Sequence, residues 1–248
     1  MEHMLWEQLK TLRSPNFKWV DLTHEFGADT PRWPGFEPMD YQILFDLDAA
    51  PMKVQQFTFP GQYGTHVDAP GHFHAGGRLL DNIDVSEFAY PLCVIDVHEK
   101  AEADNAYALT VEDIKEFERE YGTIPEGAFV AMRTDWYKRW PNQDKSQNWI
   151  AEGQACYPGW SMESLEFLFE QRDVGAVGHE GFDTDPPTLE SQAPFKGEGY
   201  VLAQDKFQIE VMSNLDEVPP VGAVIFCTFP KVKGATGFPA RCFAIAPA

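Results

Sequence analysis

The segment from Gly64 to His74 concentrates side chains that can bind a metal ion. His66, Asp68, His72 and His74 place three imidazoles and one carboxylate within nine residues. His66 and Asp68 are two positions apart, so in an extended backbone their side chains point to the same side. Neutral imidazole and carboxylate suit Zn, Mn or Fe(II), and no cysteine lies nearby to form a structural thiolate site. The spacing therefore predicts a divalent metal site.

A competing interpretation is that these histidines are only hydrogen-bonded loop residues, which is the commoner role for any single histidine. Clustering favours ligation, because several such residues converge in one short segment. Gly64 and Pro70 support this interpretation, since a ligand loop needs unusual backbone dihedrals at fixed places and these residue types permit them.

The remaining sequence predicts one α/β domain with a large mixed, partly antiparallel β-sheet and flanking helices. Thr110 and Ser161 are candidate N-caps for two amphipathic helices. A Pro-rich loop is expected at residues 30–35. The predicted strands are residues 19–23, 52–59, 92–97, 128–132, 174–177, 224–229 and 242–245.

The first 13 residues predict a separate amphipathic helix, and residues 14–248 form the domain. The apolar side of this helix is expected to pack on the body of the protein or on a second subunit. Its apolar residues are Met4, Leu5, Leu9 and Leu12.

Composition excludes several classes of protein. The chain has 248 residues, 44% of them hydrophobic, which is ample for a packed core. A formal net charge of -20 makes nucleic acid or an anionic membrane an unfavourable partner. Neither a signal peptide nor an apolar run of about 20 residues is evident, so the expected compartment is the cytoplasm.

Cys93, Cys227 and Cys242 lie in apolar runs and are predicted to be buried free thiols. The sequence contains neither a P-loop nor a GxSxG elbow, which disfavours nucleotide-binding and serine-hydrolase functions.

The sequence GTHVDAPGHF at residues 64–73 resembles the HxGTHxDxPxH signature of the cyclase family, which includes bacterial kynurenine formamidases and isatin hydrolases. Three further segments, at residues 20–35, 209–216 and 237–241, are similar to the opening, late-glutamate and closing elements of that family. The resemblance implies a metal-dependent hydrolase of small amides, lactams or esters, with an α/β fold. It also implies a homodimer or homotetramer.

The resemblance implies a set of metal ligands as well. In the family, the residues matching His66 and Asp68 hold the first metal together with a histidine, and Gln62 stands at that histidine's position. An amide oxygen binds zinc more weakly than imidazole does, so Mn is expected as an alternative to Zn at this site. Glu210 matches a metal-bridging glutamate. Glu198 stands where the formamidases have a ligand of a second metal, although its polar turn could equally be exposed to solvent. One ion is expected and two are possible.

His72 matches the family's proton donor and acceptor, and imidazole suits that task because it titrates near neutral pH. The alternative is that His72 binds metal. Trp33 corresponds to a tryptophan that stacks on the formamidase substrate, although a Trp between prolines can also be a packing residue.

Two further segments follow predicted strands, and strand-end loops favour function. His179 and Glu180 could line the pocket and define a substrate different from that of the formamidases, or they could simply be solvated. Arg133 could anchor a substrate carboxylate.

The sequence therefore predicts a metal-dependent hydrolase that cleaves the C–N bond of a small amide, formamide or cyclic imide with metal-activated water. Three alternatives stay open. They are a lactone or ester hydrolase, a metal-dependent cyclase or lyase, and a non-catalytic protein that binds a metal or ligand.

Overall fold

The computed structural model of the protein describes residues 3–187 and 195–248, and its main element is a nine-stranded mixed β-sheet. The strands of the described part of the chain are β1 (Phe17–Asp21), β2 (Asp40–Phe45), β3 (Val54–Thr58), β4 (His66–Asp68), β5 (Ala89–Asp96), β6 (Ala108–Leu109), β7 (Phe129–Arg133), β8 (Gly159–Trp160), β9 (Ala176–His179), β10 (Gln208–Glu210), β11 (Ala223–Thr228), β12 (Gly237–Pro239) and β13 (Arg241–Pro247). The α-helices are α1 (Met4–Leu12), α2 (His98–Ala103), α3 (Val111–Tyr121), α4 (Gln143–Gln147), α5 (Met162–Arg172) and α6 (Lys196–Ala203).

The strand order of the large sheet is β1-β13-β11-β5-β7-β9-β10-β4-β12. Its centre, from β5 through β7 and β9 to β10, is parallel, and both flanks are antiparallel. This topology confirms the predicted α/β class with a mixed, partly antiparallel sheet. The predicted strand ends differ from the observed ones by one to three residues, because strand termini depend on where pairing partners stop.

Alternating side chains of the central strands supply two apolar layers. In β7, Phe129 and Ala131 belong to one buried cluster, whereas Val130 and Met132 face the other. The second cluster also contains side chains of α3, α5 and α6, which cover that face of the sheet. Both predicted helix caps are confirmed, because the hydroxyls of Thr110 and Ser161 accept hydrogen bonds from backbone N–H groups in the first turns of α3 and α5.

The cysteines behave as small buried apolar residues. Cys93, Cys156, Cys227 and Cys242 are all buried free thiols, which confirms the prediction for three of them and extends it to Cys156.

Two elements project from this body. Helix α1 has no buried residue, so the expected packing on the body is not found among the described residues, and positions 1–2 of the predicted helix lie outside them. Strands β2 and β3 form a separate hairpin in which all six residues of β2 are exposed. Among the residues that the structure describes, none of the helices is long and apolar enough to cross a membrane.

Candidate active site

Strands β4 and β10 bring the predicted metal ligands together. They pair in antiparallel register, with Glu210 opposite His66 and Gln208 opposite Asp68. Directly opposed residues of an antiparallel pair share a face, as do residues two positions apart along each strand. Four polar side chains therefore occupy one buried patch of the sheet.

Three of these side chains form a compact group of donor atoms. His66 Nε2 lies 3.5 Å from Asp68 Oδ2 and 3.5 Å from Glu210 Oε2. One ligand atom from each residue falls within 4.8 Å of the others, so a single cation could contact all three. His66, Asp68 and Glu210 are called the first metal set below.

The tautomer of neutral His66 follows from its other nitrogen. His66 Nδ1 lies 2.8 Å from the carbonyl oxygen of Gly64, and because a carbonyl can only accept, Nδ1 carries the proton. The lone pair of Nε2 then points towards the two carboxylates. This is the arrangement of metal-binding histidines, whose second nitrogen is fixed by a hydrogen bond.

A second group of donors shares Asp68 with the first. Asp68, His72 and Glu198 also offer ligand atoms within 4.8 Å of one another. His72 Nε2 lies 4.0 Å from Asp68 Oδ1 and 3.9 Å from Glu198 Oε1. Burial lowers the pKa of His72, an effect that the charge of Asp68 partly offsets, so the imidazole is neutral at pH 7.

Glu198 reaches this group from the first turn of α6. The carboxylate of Asp185 accepts hydrogen bonds from the backbone N–H groups of Gly197, at 2.8 Å, and Glu198, at 3.2 Å, which fixes the start of the helix. Glu198 is buried and lines the cavity, so of the two placements considered from the sequence, the solvent-exposed one is wrong.

The electrostatics of the site fit a divalent cation. Burial raises the pKa of Glu198 and Glu210 well above the ordinary value, and neighbouring carboxylates raise it further. Burial raises the pKa of Asp183, which also lines the cavity, to about 6. Asp68 Oδ1 is buried and has no hydrogen-bond partner. A cation among these oxygens would offset the cost of burying their charges, and the mixed imidazole and carboxylate donors suit Zn or Mn.

Gln62 stands at the wall of the same cavity. Its Nε2 is buried without a hydrogen-bond partner and packs against the backbone of Gly237. A Cβ atom at position 237 would collide with this amide, so the absence of a side chain there makes room for Gln62.

The cavity has a volume of about 290 Å³ and largely apolar walls around the acidic groups. That volume suits a small organic molecule. The aromatic residues lining it are Trp33, Phe36, Phe73, Phe182 and Phe195.

The predicted Pro-rich loop carries Trp33 and Arg32 into this wall. Gln143 of α4 fixes the loop, because its side chain accepts from the backbone N–H of Arg32 and donates to the Arg32 carbonyl, each at 2.8 Å. The ring of Trp33 folds over Gly35, where a Cβ atom would collide with it. Trp33 therefore lies in the cavity wall, and its stacking on a substrate stays a prediction.

Arg133 does not line the cavity. Its guanidinium donates to Asp96 at 2.7 Å and to Asp135 at 2.8 Å, so its charge is already paired inside the protein. This finding corrects the expectation of a substrate anchor at Arg133. Arg32 is the arginine that the structure brings to the cavity, and its Nε donates to the Phe36 carbonyl at 2.9 Å.

His179 is fully buried and lies behind Glu210 rather than in the cavity wall. The indole N–H of Trp160 donates to His179 Nδ1 at 3.3 Å, so the proton of the neutral ring is on Nε2, which faces Glu210 Oε1 at 3.4 Å. Burial lowers the pKa of His179 to about 3. A ring with no exposed surface cannot contact a substrate, which corrects the substrate-binding expectation for His179.

Glu180 is also buried outside the cavity wall. Its Oε2 accepts from the backbone N–H and hydroxyl of Thr134 and from the backbone N–H of Trp136, at 2.8–3.1 Å. The residue joins the end of β9 to the turn after β7. The sequence analysis considered two roles for Glu180, in the pocket wall or exposed to solvent. The structure shows neither.

Besides Arg32, sequence reasoning missed two polar residues at the site. Asp183 lines the cavity and accepts a hydrogen bond from the Tyr157 hydroxyl. Gln208 is fully buried beside the first metal set and contacts two of its carboxylates. Alternation along β10 was the available signal for Gln208, because it lies two positions before Glu210.

Known proteins resemble this chain in sequence and in fold. The model of the "Putative cyclase" family matches residues 20–186. An isatin hydrolase of Roseibium aggregatum is 30% identical over 239 residues, covering 94% of this chain and 88% of the relative. A kynurenine formamidase of Bacillus anthracis is 32% identical over 81 residues, covering 32% of this chain and 39% of the relative. The solved structure of isatin hydrolase A from Labrenzia aggregata, bound to benzyl benzoate, superposes with a TM-score of 0.91 at 29% identity, covering 99% of this chain and all of that one.

The fold, the site and these relatives define a hydrolase that acts on carbon–nitrogen bonds other than peptide bonds, with a site suited to a divalent metal ion. Within that class, the chain belongs to the cyclase family.

Proposed function

We propose that the protein opens a small cyclic amide fused to an aromatic ring, using one Zn or Mn ion held by Gln62, His66, Asp68 and Glu210. The observation that carries this proposal is the first metal set, which lies in an aromatic-walled cavity next to a neutral His72. The similarity to an isatin hydrolase over 94% of the chain supports the choice of substrate class.

His72 would carry the proton in this reaction. A divalent ion supplies Lewis acidity, which polarises the substrate carbonyl and makes water a stronger nucleophile at neutral pH. As the water oxygen bonds to the carbonyl carbon, neutral His72 accepts a water proton, and it then delivers that proton to the departing ring nitrogen. The C–N bond breaks to give an amine and a carboxylic acid, which releases the second water proton to solvent and becomes a carboxylate. The carboxylate of Asp68, 4.0 Å from Nε2, favours the charged imidazole that exists between these steps.

The cavity walls would position the ring and its product. Trp33 offers a flat face for a planar substrate, and the surrounding phenylalanines limit access of other water. Ring opening converts a neutral amide into an anion, and Arg32 supplies a cation in the wall. No ion pair joins Arg32 to an Asp or Glu within the described ranges 3–187 and 195–248, so its charge is available for a product carboxylate.

A second ion is the alternative role for the group of Asp68, His72 and Glu198. These residues meet the same distance criterion as the first metal set. If an ion binds there, His72 is a ligand and another group must carry the proton. Metal stoichiometry distinguishes the two arrangements.

The test combines elemental analysis with a hydrolysis screen of isatin-type cyclic amides, aryl formamides and lactones, before and after chelation. We expect about one Zn or Mn per chain and chelator-sensitive opening of the cyclic amides, with ¹⁸O from solvent in the new carboxylate. Aryl formamides as the best substrates would favour a formamidase. A protein that neither binds metal nor gains activity on reconstitution would overturn the proposal.

We further propose that the active form is a homodimer or homotetramer. The hairpin of β2 and β3 is separate from the main sheet, and Tyr41, Ile43, Phe45 and Phe57 are all at least half exposed on it. A lone two-stranded hairpin is only marginally stable in water, and large exposed apolar patches mark association surfaces. A second copy of the chain would cover these residues.

A further inference from the structure

Gln208 is the polar side chain through which two carboxylates of the metal site are connected. It lies opposite Asp68 and two positions before Glu210, and it is fully buried. Its Nε2 donates to Glu210 Oε1 at 3.0 Å and to Asp68 Oδ2 at 3.4 Å. An amide nitrogen has two hydrogens, so one side chain can serve both carboxylates at once.

Thr184 anchors the oxygen end of the Gln208 amide. Its hydroxyl donates to Gln208 Oε1 at 2.8 Å, and Thr184 is itself fully buried. A reversed amide would turn its oxygen towards the carboxylate oxygens of Asp68 and Glu210, which can only accept hydrogen bonds in the ionised form that binds a cation. The carboxylates therefore select a single orientation of the amide, and the Thr184 hydroxyl holds the amide oxygen in it.

This orientation decides which oxygen of Glu210 is available to a cation. Glu210 Oε1 is occupied by Gln208 and faces His179 Nε2 at 3.4 Å. The other oxygen, Oε2, lies 3.5 Å from His66 Nε2 and accepts from neither of these donors. The carboxylate thus presents Oε2 to the site with its rotamer already held.

We propose that Gln208, oriented by Thr184, is a positioning residue that holds Asp68 and Glu210 in a geometry ready to bind the metal ion. This inference rests on the proposed metal centre and adds to it two residues that touch neither the ion nor the substrate. Hydrogen-bond partners of metal ligands typically contribute about 10- to 100-fold to metal affinity. The donors also reduce the repulsion between these two buried carboxylates in the ionised form that binds a cation.

The test measures Mn²⁺ affinity of the full-length protein by competition with a chelating dye, together with the EPR spectrum of bound Mn²⁺. Gln208→Leu removes both donors and keeps a side chain of similar size. Thr184→Val leaves Gln208 in place but removes the hydroxyl that orients it, whereas Thr184→Ser retains that hydroxyl. Ser164→Ala is the control, because it deletes a buried hydroxyl whose partner is the Ser161 carbonyl at the start of α5.

We expect Gln208→Leu to weaken Mn²⁺ binding by about 10- to 100-fold and Thr184→Val by about tenfold, each with an altered EPR spectrum. Thr184→Ser and Ser164→Ala should stay within about twofold of the wild type. If the wild type binds Mn²⁺ and Gln208→Leu binds it with the same affinity, the positioning role is overturned and the proposed function stays intact. A wild-type protein that binds no metal would overturn both.

Discussion

The orientation of His66 depends on Gly64 as much as on the histidine itself. Gly64 has a φ of +63°, in the left-handed region, and a Cβ atom there would lie 3.1 Å from the Cβ of Phe26. This conformation presents the Gly64 carbonyl to His66 Nδ1. A glycine at this position therefore serves the proposed metal site directly, since an L-residue would strain the backbone that holds the acceptor.

Replacement of His72 separates proton transfer from metal binding. If His72 carries the proton, His72→Ala should lower kcat by about 10²- to 10⁴-fold and leave about one ion per chain. His74→Ala is the matched control, because His74 belongs to the same loop, is exposed and does not line the cavity. The measurements are steady-state kinetics and elemental analysis. Loss of metal in His72→Ala would show that His72 is a ligand.

Replacement of Gln62 tests the amide as a ligand. Gln62→His should tighten Zn²⁺ binding, because imidazole is the stronger zinc ligand. Dissociation constants from chelator competition provide the measurement. Gln171→His adds an imidazole at an exposed position of α5 and controls for adventitious binding. Equal affinity in Gln62→His and the wild type would mean that position 62 is outside the coordination sphere.

Residue types and spacing predicted part of the site. His66 and Asp68 could be found because a strand repeats every two residues, and their convergence needs only local geometry. Spacing could not show which of Arg133 and Arg32 has a guanidinium that reaches the cavity. The guanidinium of Arg133 is paired with Asp96 and Asp135, and pairing of that kind depends on the tertiary structure.

At the scale of elements, the site depends on the pairing of β4 with β10. The register that sets Gln208 opposite Asp68 joins residues 140 positions apart in the sequence. Helix caps at Thr110 and Ser161 were predictable because the signal and its effect lie within one turn. The role of Gln208 was not predictable, because no local sequence pattern specifies a hydrogen-bond partner so distant in the chain.

Glu180 makes the junction between β7 and β9 sensitive to pH. Burial raises the pKa of Glu180 from 4.5 to about 8. Between these values the folded protein keeps a proton that the unfolded chain has lost, so this residue lowers the free energy of unfolding as pH rises, by up to about 1.4 kcal/mol per pH unit.

Glu180→Gln removes this dependence. We expect the Tm of the variant, relative to wild type, to increase steadily from pH 5 to pH 8 in a thermal unfolding series. Glu163→Gln, at an exposed position of α5, is the control and should show no such trend. A Tm difference that is constant with pH would contradict a raised pKa at Glu180.

The whole molecule combines a high negative charge with an exposed apolar hairpin, formed by β2 and β3. The chain carries a formal charge of -20, whereas the β2–β3 hairpin exposes large apolar side chains. Long-range repulsion disfavours association between copies, so a stable oligomer needs a concentrated apolar contact. The sequence predicted the α/β class from its alternating elements, but it did not show that this hairpin stands apart from the main sheet.

Introducing a charged side chain into the β2–β3 hairpin tests the proposed oligomer. Ile43→Asp should shift the protein towards monomer in light scattering coupled to size-exclusion chromatography, because a buried carboxylate at the interface would have no partner. Gln171→Asp makes the same change in charge at an exposed end of α5 and should leave the mass unchanged. An oligomer that persists in Ile43→Asp would place the interface elsewhere.

The sheet topology also orders events during synthesis. The first strand, β1, pairs with the last, β13, and β4 must wait for β10 and β12. A nascent chain therefore exposes His66 and Asp68 long before Glu210 leaves the ribosome. In the proposed metal centre, tight metal loading can begin only when nearly the entire polypeptide has emerged, so acquisition of the ion would mark a late stage of maturation.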